Sequence, residues 1–459
     1  MDLSSILGLI RELPEYQAIH DSLAAGQVAP RSLALPRAAR PTIAAVLSLD
    51  LRRSVVLVVS RPDRLLTLSD EIPAWAPELR LLPFPDPRPL FYERAYWGPR
   101  TLCQRVVALT TLTTGQLPGG PQPSASPAPS LILASARAVM TRTLPRRDFL
   151  AASRWLKTGA PVRLGRVLDL LVGIGYSPAS LVTEPGQFSH RGGILDLWPP
   201  ADPLPVRIEL FGDEIDSMRH FEPSSQRSTE SRPNVLVSPA REALPRLYQE
   251  AWDVLLPAGE GPETSRRDPL LEFFLPLMNP SSGGLFDYLP NDALVLLEDH
   301  AAFESAVAEL EEQAVSLRRE QVGAGELPED FPLPYLTWSE IREALSDRQV
   351  VDLGGSAAMT ENEAPLQTSF SPGPRFGGQI RPLFDFLGER RSRHEAVVVV
   401  SRQAPRLAEL WAESGVHRPV VDALPAEHVP GDLHFIQGAL SEGWGLRLPS
   451  NGRLHLLTD

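Results

Sequence analysis

Four short runs limit what this chain can fold into. SVVLVVS (54–60), SLILAS (130–135), the LVLL of DALVLLEDH (292–300) and AVVVV (396–400) have continuously apolar centres, and the first and last are largely β-branched. A strand apolar on both faces has to be covered on both, so these runs predict parallel sheets flanked by helices. Helix-like stretches alternate with them, among them TLCQRVVALTTL (101–112), and the alternation predicts an α/β layer. A chain of 459 residues has room for about three domains. Its 43% hydrophobic content is enough to give them cores.

Other stretches break this pattern. LLPFPDPRPLFYE (81–93) has to be extended and loop-rich because of its prolines, and TGQLPGGPQPSASPAPS (114–130) is a low-complexity segment expected to be mobile. After about residue 150 the texture changes. LGRVLDLLVGIGY (164–176) predicts a short amphipathic helix. RGGILDLWPPADPLPVRIELFGDEIDSMRHFEPSSQRS (191–228) predicts an antiparallel meander, with tight turns near 201–205 and at Gly212-Asp213. From about 239 helix-and-strand material returns, including AAFESAVAELEEQAVSLRRE (301–320) as a charged, solvent-facing helix and a loop at GAGELPEDFPLP (323–334). The last hundred residues predict helix, buried strand and helix, and LHLLTD (454–459) is strand-like, as in a piece of a longer chain. The expected organisation is an α/β domain in two parts, 1–150 and 239–330. A β-rich α+β insertion over 151–238 interrupts it, and a small, C-terminally truncated α/β domain over 331–459 follows.

Composition narrows the chemistry. With 44 basic and 57 acidic side chains the formal charge is -13, unlike a binder that grips nucleic acid through an all-basic surface. Cys103 is the only cysteine, so no intrachain disulfide can form. MDLSSILGLIRELPEYQ carries no basic leader and no run of 18 apolar residues occurs, which predicts a cytoplasmic chain without a membrane span. Lys157 is the only lysine and follows Leu156, so no G-x-x-x-x-G-K-[ST] phosphate loop can exist. GIGYSP (173–178) follows a helix and ends in proline, which suits a helix end capped by left-handed Gly175 better than a dinucleotide fingerprint. His394-Glu395 lacks a second histidine, no Cys/His cluster occurs, and no G-x-S-x-G elbow is present, so no metal site or serine nucleophile is expected. LVLLEDH carries Glu298 and Asp299 to a strand tip, where nucleotide hydrolases keep the carboxylates that hold magnesium. The plainer reading is an ordinary strand end with solvated acids, and without a phosphate-binding lysine any site there is a relic.

In VRIELF (206–211) the alternation sends Val206, Ile208 and Leu210 to one face and Arg207, Glu209 and Phe211 to the other. An arginine and an aromatic ring on one exposed face are the ingredients of an interface hot spot. A solvated face with Phe211 packed under a neighbouring helix is the competing reading, and the single short helix before the meander favours the exposed face slightly.

The stretch 191–228 resembles the domain shared by the excision-repair protein UvrB and the transcription-repair coupling factors, and its ending FEPSSQRS (221–228) is more similar to the latter. LPFPDPRPLFYE with LCQRVVALTTL, GLFDYLPNDALVLLEDH (284–300) and IQGALSEGW (436–444) extend the resemblance over nearly the whole chain. It implies a degenerate helicase-like (P-loop NTPase-like) domain interrupted by a UvrA-binding insertion. LALPRAARPTIAAVL (33–47) stands where UvrB has its nucleotide loop, and has neither glycine nor lysine. Carried over by position, the UvrA contacts fall on Arg191, Arg207 and Phe211, and the degenerate acidic motif on Glu298 and Asp299. The resemblance further implies a monomeric docking unit with no cofactor of its own. ATP and magnesium would belong to a translocase part, and RNA polymerase and duplex DNA would be engaged by domains C-terminal to this segment. The alternatives are a UvrB-like nucleotide-dependent helicase or ATPase, and a nucleic-acid binder, which the acidic balance disfavours.

Overall fold

The computed structural model describes residues 1–27, 32–120, 129–247, 271–279, 283–355, 366–413, 415–425 and 431–458. Helices α1 (Ser5–Arg11), α2 (Pro14–Ala24) and α3 (Arg40–Leu51) precede β1 (Ser54–Val59), the first of the apolar runs. Then α4 (Pro62–Trp75), β2 (Arg80–Phe84), α5 (Pro99–Thr113) and β3 (Ser130–Ser135) follow as βαβ units. β2 is the sheet edge, which is where a strand can accept Pro83. Of the segment expected to be mobile, 121–128 lie outside the described residues, while Thr114–Gln116 form a 3-10 turn.

The chain leaves this sheet through β4 (Arg154–Lys157), and the helix Leu164–Gly173 ends at Gly175 with φ +93°, the left-handed cap expected of GIGYSP. The insertion itself is a six-stranded sheet of β5 (Ser177–Pro178), β6 (Gln187–Arg191), β7 (Ile194–Leu197), β8 (Val206–Phe211), β9 (Glu214–Phe221) and β10 (Ser228–Ser231). Strands β6 to β10 form an antiparallel meander in sequence order, with β5 parallel to β6 at one edge. β11 (Asn234–Val237) then returns antiparallel to β4, so the entry and exit of the insertion form one two-stranded neck.

Beyond the neck, Glu242 is fully buried against Arg105 of α5, whose Nη2 donates to its carboxylate at 3.2 Å. Arg105 also donates from Nη1 to the Pro85 carbonyl at 3.2 Å and stacks 4.0 Å over the Phe84 ring. Burial pushes the Glu242 carboxyl up, and the guanidinium opposes that rise.

β12 (Leu294–Leu297) and β13 (Gln349–Asp352) complete the first sheet in the order β13-β12-β1-β3-β2, every pair parallel. β13 lies past the 330/331 division expected from the sequence, so this sheet extends to Asp352. The helix His300–Gly323 between them is not wholly solvent-facing, since Phe303, Ala306, Val307 and Ala314 are buried along it. The last sheet comprises β14 (Phe370–Pro372), β15 (Ala396–Ser401), β16 (Val420–Val421), β17 (Leu433–Gln437), β18 (Trp444–Arg447) and β19 (Arg453–Thr458), ordered β14-β18-β19-β15-β17-β16. It shares a core with α1 to α4: Trp444 stacks on Trp75 with ring centroids 5.9 Å apart, and the Ser441 amide donates to Glu71 at 2.6 Å.

Removing one partner of a buried ion pair leaves an uncompensated charge, so Glu242→Ala is expected to cost about 3–5 kcal/mol. Urea unfolding checks it; an unchanged midpoint would mean that Arg105 finds water or another acceptor.

Candidate protein-docking site

One face of the insertion sheet is core. Phe188, Leu195, Leu197, Val206, Ile208, Ile215 and Met218 are buried there together with Val167 and Leu171 of the preceding helix. Between β8 and β9 the register shifts: Glu209 pairs with Ser217 and Leu210 with Ile215, leaving Asp216 without a partner. This bulge keeps both Ile215 and Met218 inward while sharpening the local twist. Leu210 is only half-buried at the rim of that core.

The opposite face carries the residues singled out from sequence, in two different environments. Phe211 is 83% exposed at the end of β8. The turn that follows begins at Gly212 with φ +61°, the sign a two-residue hairpin of the II′ kind needs at its first central position. Arg191 is exposed at the end of β6, and its Nη2 donates to the Ser180 carbonyl. Pairing of Arg191 with Ile194, and of Ile194 with Glu209, sets these side chains in one row beside Phe211. Ile194, 40% exposed, is therefore part of the same patch. Nothing in its local sequence marks it; only strand register does.

Arg207 does not fit the expectation of an outward-presented side chain. It pairs across the strands with Asp196, and its Nε and Nη2 donate to the two carboxylate oxygens at 2.8 Å each. Nη1 donates to the Gln226 carbonyl at 3.2 Å, and the guanidinium lies 4.8 Å over the ring of Phe221. Only 22% of the side chain is exposed. The Asp196 hydrogen bonds push the Arg207 pKa up. Alternation along β8 correctly gave its face, but a bidentate cross-strand carboxylate turned it into a brace.

The expected relic site lies at the tip of β12. Residues 32–35 run beside the end of β13, with the Leu33 amide donating to the Asp352 carbonyl at 2.8 Å and the Leu35 amide to that of Leu353 at 2.9 Å. Glu298 is buried, and its Oε1 accepts from Nε of equally buried Arg64 at 2.6 Å. Asp299 caps the next helix by accepting from the Ala302 amide at 3.1 Å, and its Oδ2 lies 3.4 Å from Nη1 of Arg40, in the first turn of α3. A Cβ at Gly354 would stand 2.9 Å from Asp299 Oδ2 and 3.1 Å from Arg40 Nη2, so Gly354 packs closely against both groups. Lys157 belongs to the neck, not to this sheet. Among the described residues, no group of three or more His, Cys, Asp or Glu could hold a metal, and no helix is long and apolar enough to cross a membrane.

The two environments predict opposite stability effects. Phe211→Ala is expected to change folding stability by less than about 0.5 kcal/mol. Arg207→Ala, which strands a largely covered Asp196, is expected to cost about 1–3 kcal/mol. Chemical denaturation of both variants, read against the parent, would refute the brace if the two behaved alike.

Residues 155–242 match the UvrB interaction domain family. The transcription-repair-coupling factor of Bacillus subtilis (strain 168) is 22% identical to the chain over 97% of its residues, and that of Myxococcus xanthus is 28% identical over 72%. A Staphylococcus epidermidis protein of the same name is 26% identical over 63%. The chain spans only 39%, 30% and 27% of the lengths of these relatives. It therefore carries a UvrB interaction domain and is similar to the N-terminal region of the transcription-repair coupling factors, over nearly its whole length in the case of the Bacillus subtilis protein.

Proposed function

We propose that this chain is the docking portion of a transcription-repair coupling factor, that its insertion recruits UvrA, and that it hydrolyses no nucleotide itself. The observation that carries the reading is Phe211, 83% exposed on the open end of the UvrB interaction domain's sheet beside Arg191 and Ile194. A large aromatic side chain that far into water adds nothing to folding, and beside an arginine it suits an interface hot spot. In this reading RNA polymerase and duplex DNA are engaged by parts of the parent protein outside this chain, and ATP and magnesium belong to those parts. The chain itself works as a cytoplasmic monomer that needs no cofactor.

A UvrB-like ATPase is the second reading, favoured by the parallel sheet that carries Glu298 and Asp299 to the tip of β12. Against it stand Arg64 and Arg40, which hold the two carboxylates in ion pairs that a magnesium ion would have to break. No lysine is present in that sheet to clamp phosphate.

Phe211→Ala is expected to weaken UvrA binding by about 2 kcal/mol, roughly thirtyfold. Titration calorimetry with purified UvrA reads this directly, and undiminished affinity would reject the docking reading. Incubated with magnesium and ATP, the purified chain is expected to release no phosphate; sustained turnover would establish the second reading instead.

A further inference from the structure

Phe221 lies on the same outward side of the sheet as Arg207 and Arg219, yet it is completely buried. The guanidinium of Arg207 lies over its ring, and the chain turns back immediately after it. In that turn the Gln226 amide donates to the Glu222 carbonyl at 2.7 Å, and the Glu222 amide to the Arg227 carbonyl at 3.0 Å. Gln226 is left-handed at φ +57° without being glycine, a strained conformation that persists only where its surroundings over-determine it. Those surroundings are explicit. Its side-chain Nε2 donates to the Pro223 carbonyl at 2.8 Å and the Val182 carbonyl at 3.2 Å, and its own carbonyl accepts from Arg207.

The outward half of the sheet near Arg207 is thus roofed by a rigid turn, whose Glu222, Ser224, Ser225 and Arg227 all face solvent. Arg227 makes no ion pair or side-chain hydrogen bond among the described residues. This is the FEPSSQRS stretch, and folding gives no reason for its exposed cation. Arg207 is in the opposite position: its Nε and both terminal nitrogens donate to Asp196 and Gln226, with its flat face on Phe221.

We propose that the turn of residues 222–227 is a second contact element for UvrA, with Arg227 its charged contact, and that Arg207 acts on binding as a positioning residue through this turn. The proposal rests on the docking reading and deepens it. The turn stands on the same face as Phe211, at the other end of β8, so one partner surface lying along that strand meets both. A free guanidinium fork there fits a carboxylate on that partner.

The test is a double-mutant cycle on the purified chain with purified UvrA, with amide hydrogen exchange followed over 222–228. Arg227→Ala is expected to weaken binding roughly tenfold without loss of stability. Arg207→Ala is expected to weaken it at least as much and to deprotect the turn. The double variant should bind no more weakly than Arg207→Ala alone, because the turn that presents Arg227 is already lost. Arg207→Lys keeps the charge but cannot make the fork and the stack together, and should resemble the alanine variant. Parent-like binding by Arg227→Ala, losses that multiply in the double variant, or full rescue by lysine would each overturn the proposal. Phe211→Ala separates the failures: if it weakens binding while Arg227→Ala does not, only the turn is rejected, and if both bind like the parent, the docking reading falls as well.

Discussion

A strand apolar on both faces has to be covered twice, and β1 meets that demand by joining the whole molecule. Val56 and Val58 belong to the same buried cluster as Leu195, Ile208 and Met218 of the insertion. Val55, Leu57 and Val59 belong to another, together with Trp75, Val398, Trp444 and Leu456. Alternate residues of one six-residue strand therefore enter two different cores, one reaching the insertion sheet and the other the last domain. Close packing on both sides makes these junctions stiff. The sheet that carries Phe211 is a fixed part of the body, held further by the β4–β11 neck and the Arg105–Glu242 pair.

The near-absence of lysine has a structural counterpart. Arg64, Arg105, Arg137, Arg207 and Arg241 each use Nε toward an acidic partner, and Arg105, Arg137, Arg207 and Arg241 add a terminal nitrogen on the same carboxylate. A lysine has no such fork, and its compact charge is more strongly hydrated and costlier to bury. At the tip of β12 the same chemistry changes what the acids can do. Glu298 and Asp299 lie at a strand tip, and Arg64 and Arg40 supply their counter-charge. A buried pair such as Arg64–Glu298 adds little net stability, yet losing one partner is expensive.

Much of this was legible in the sequence, because hydrophobic periodicity reports burial directly. The four apolar runs became β1, β3, β12 and β15, and the alternation in VRIELF correctly separated Val206 and Ile208 from Arg207 and Phe211. What escaped was tertiary. Asp196 and Arg207 are eleven residues apart and become partners only when β7 and β8 pair in one particular register. Ile194 joins the exposed patch by the same register, and β13 joins the first sheet through a parallel pairing with β12, more than fifty residues earlier in the chain. Periodicity gives the face of a side chain. It does not say who stands across from it.

That distinction explains the uneven outer face of the insertion sheet. Near Phe221 the outward groups Arg207 and Phe221 are already engaged, by Asp196, by Gln226 and by the turn that Gln226 pins to Val182. Near Phe211 the sheet has no cover of its own, and Ile194 and Phe211 stay in water. A partner settling there would bury apolar surface without first displacing anything, and would meet a hairpin whose turn, bulge and register are already set. Ordering loops and side chains is a large part of what weakens protein association, so a surface ordered in advance keeps more of its contact energy as affinity. The braced half of the sheet provides that order, both for the bare end at Phe211 and for the turn that presents Arg227.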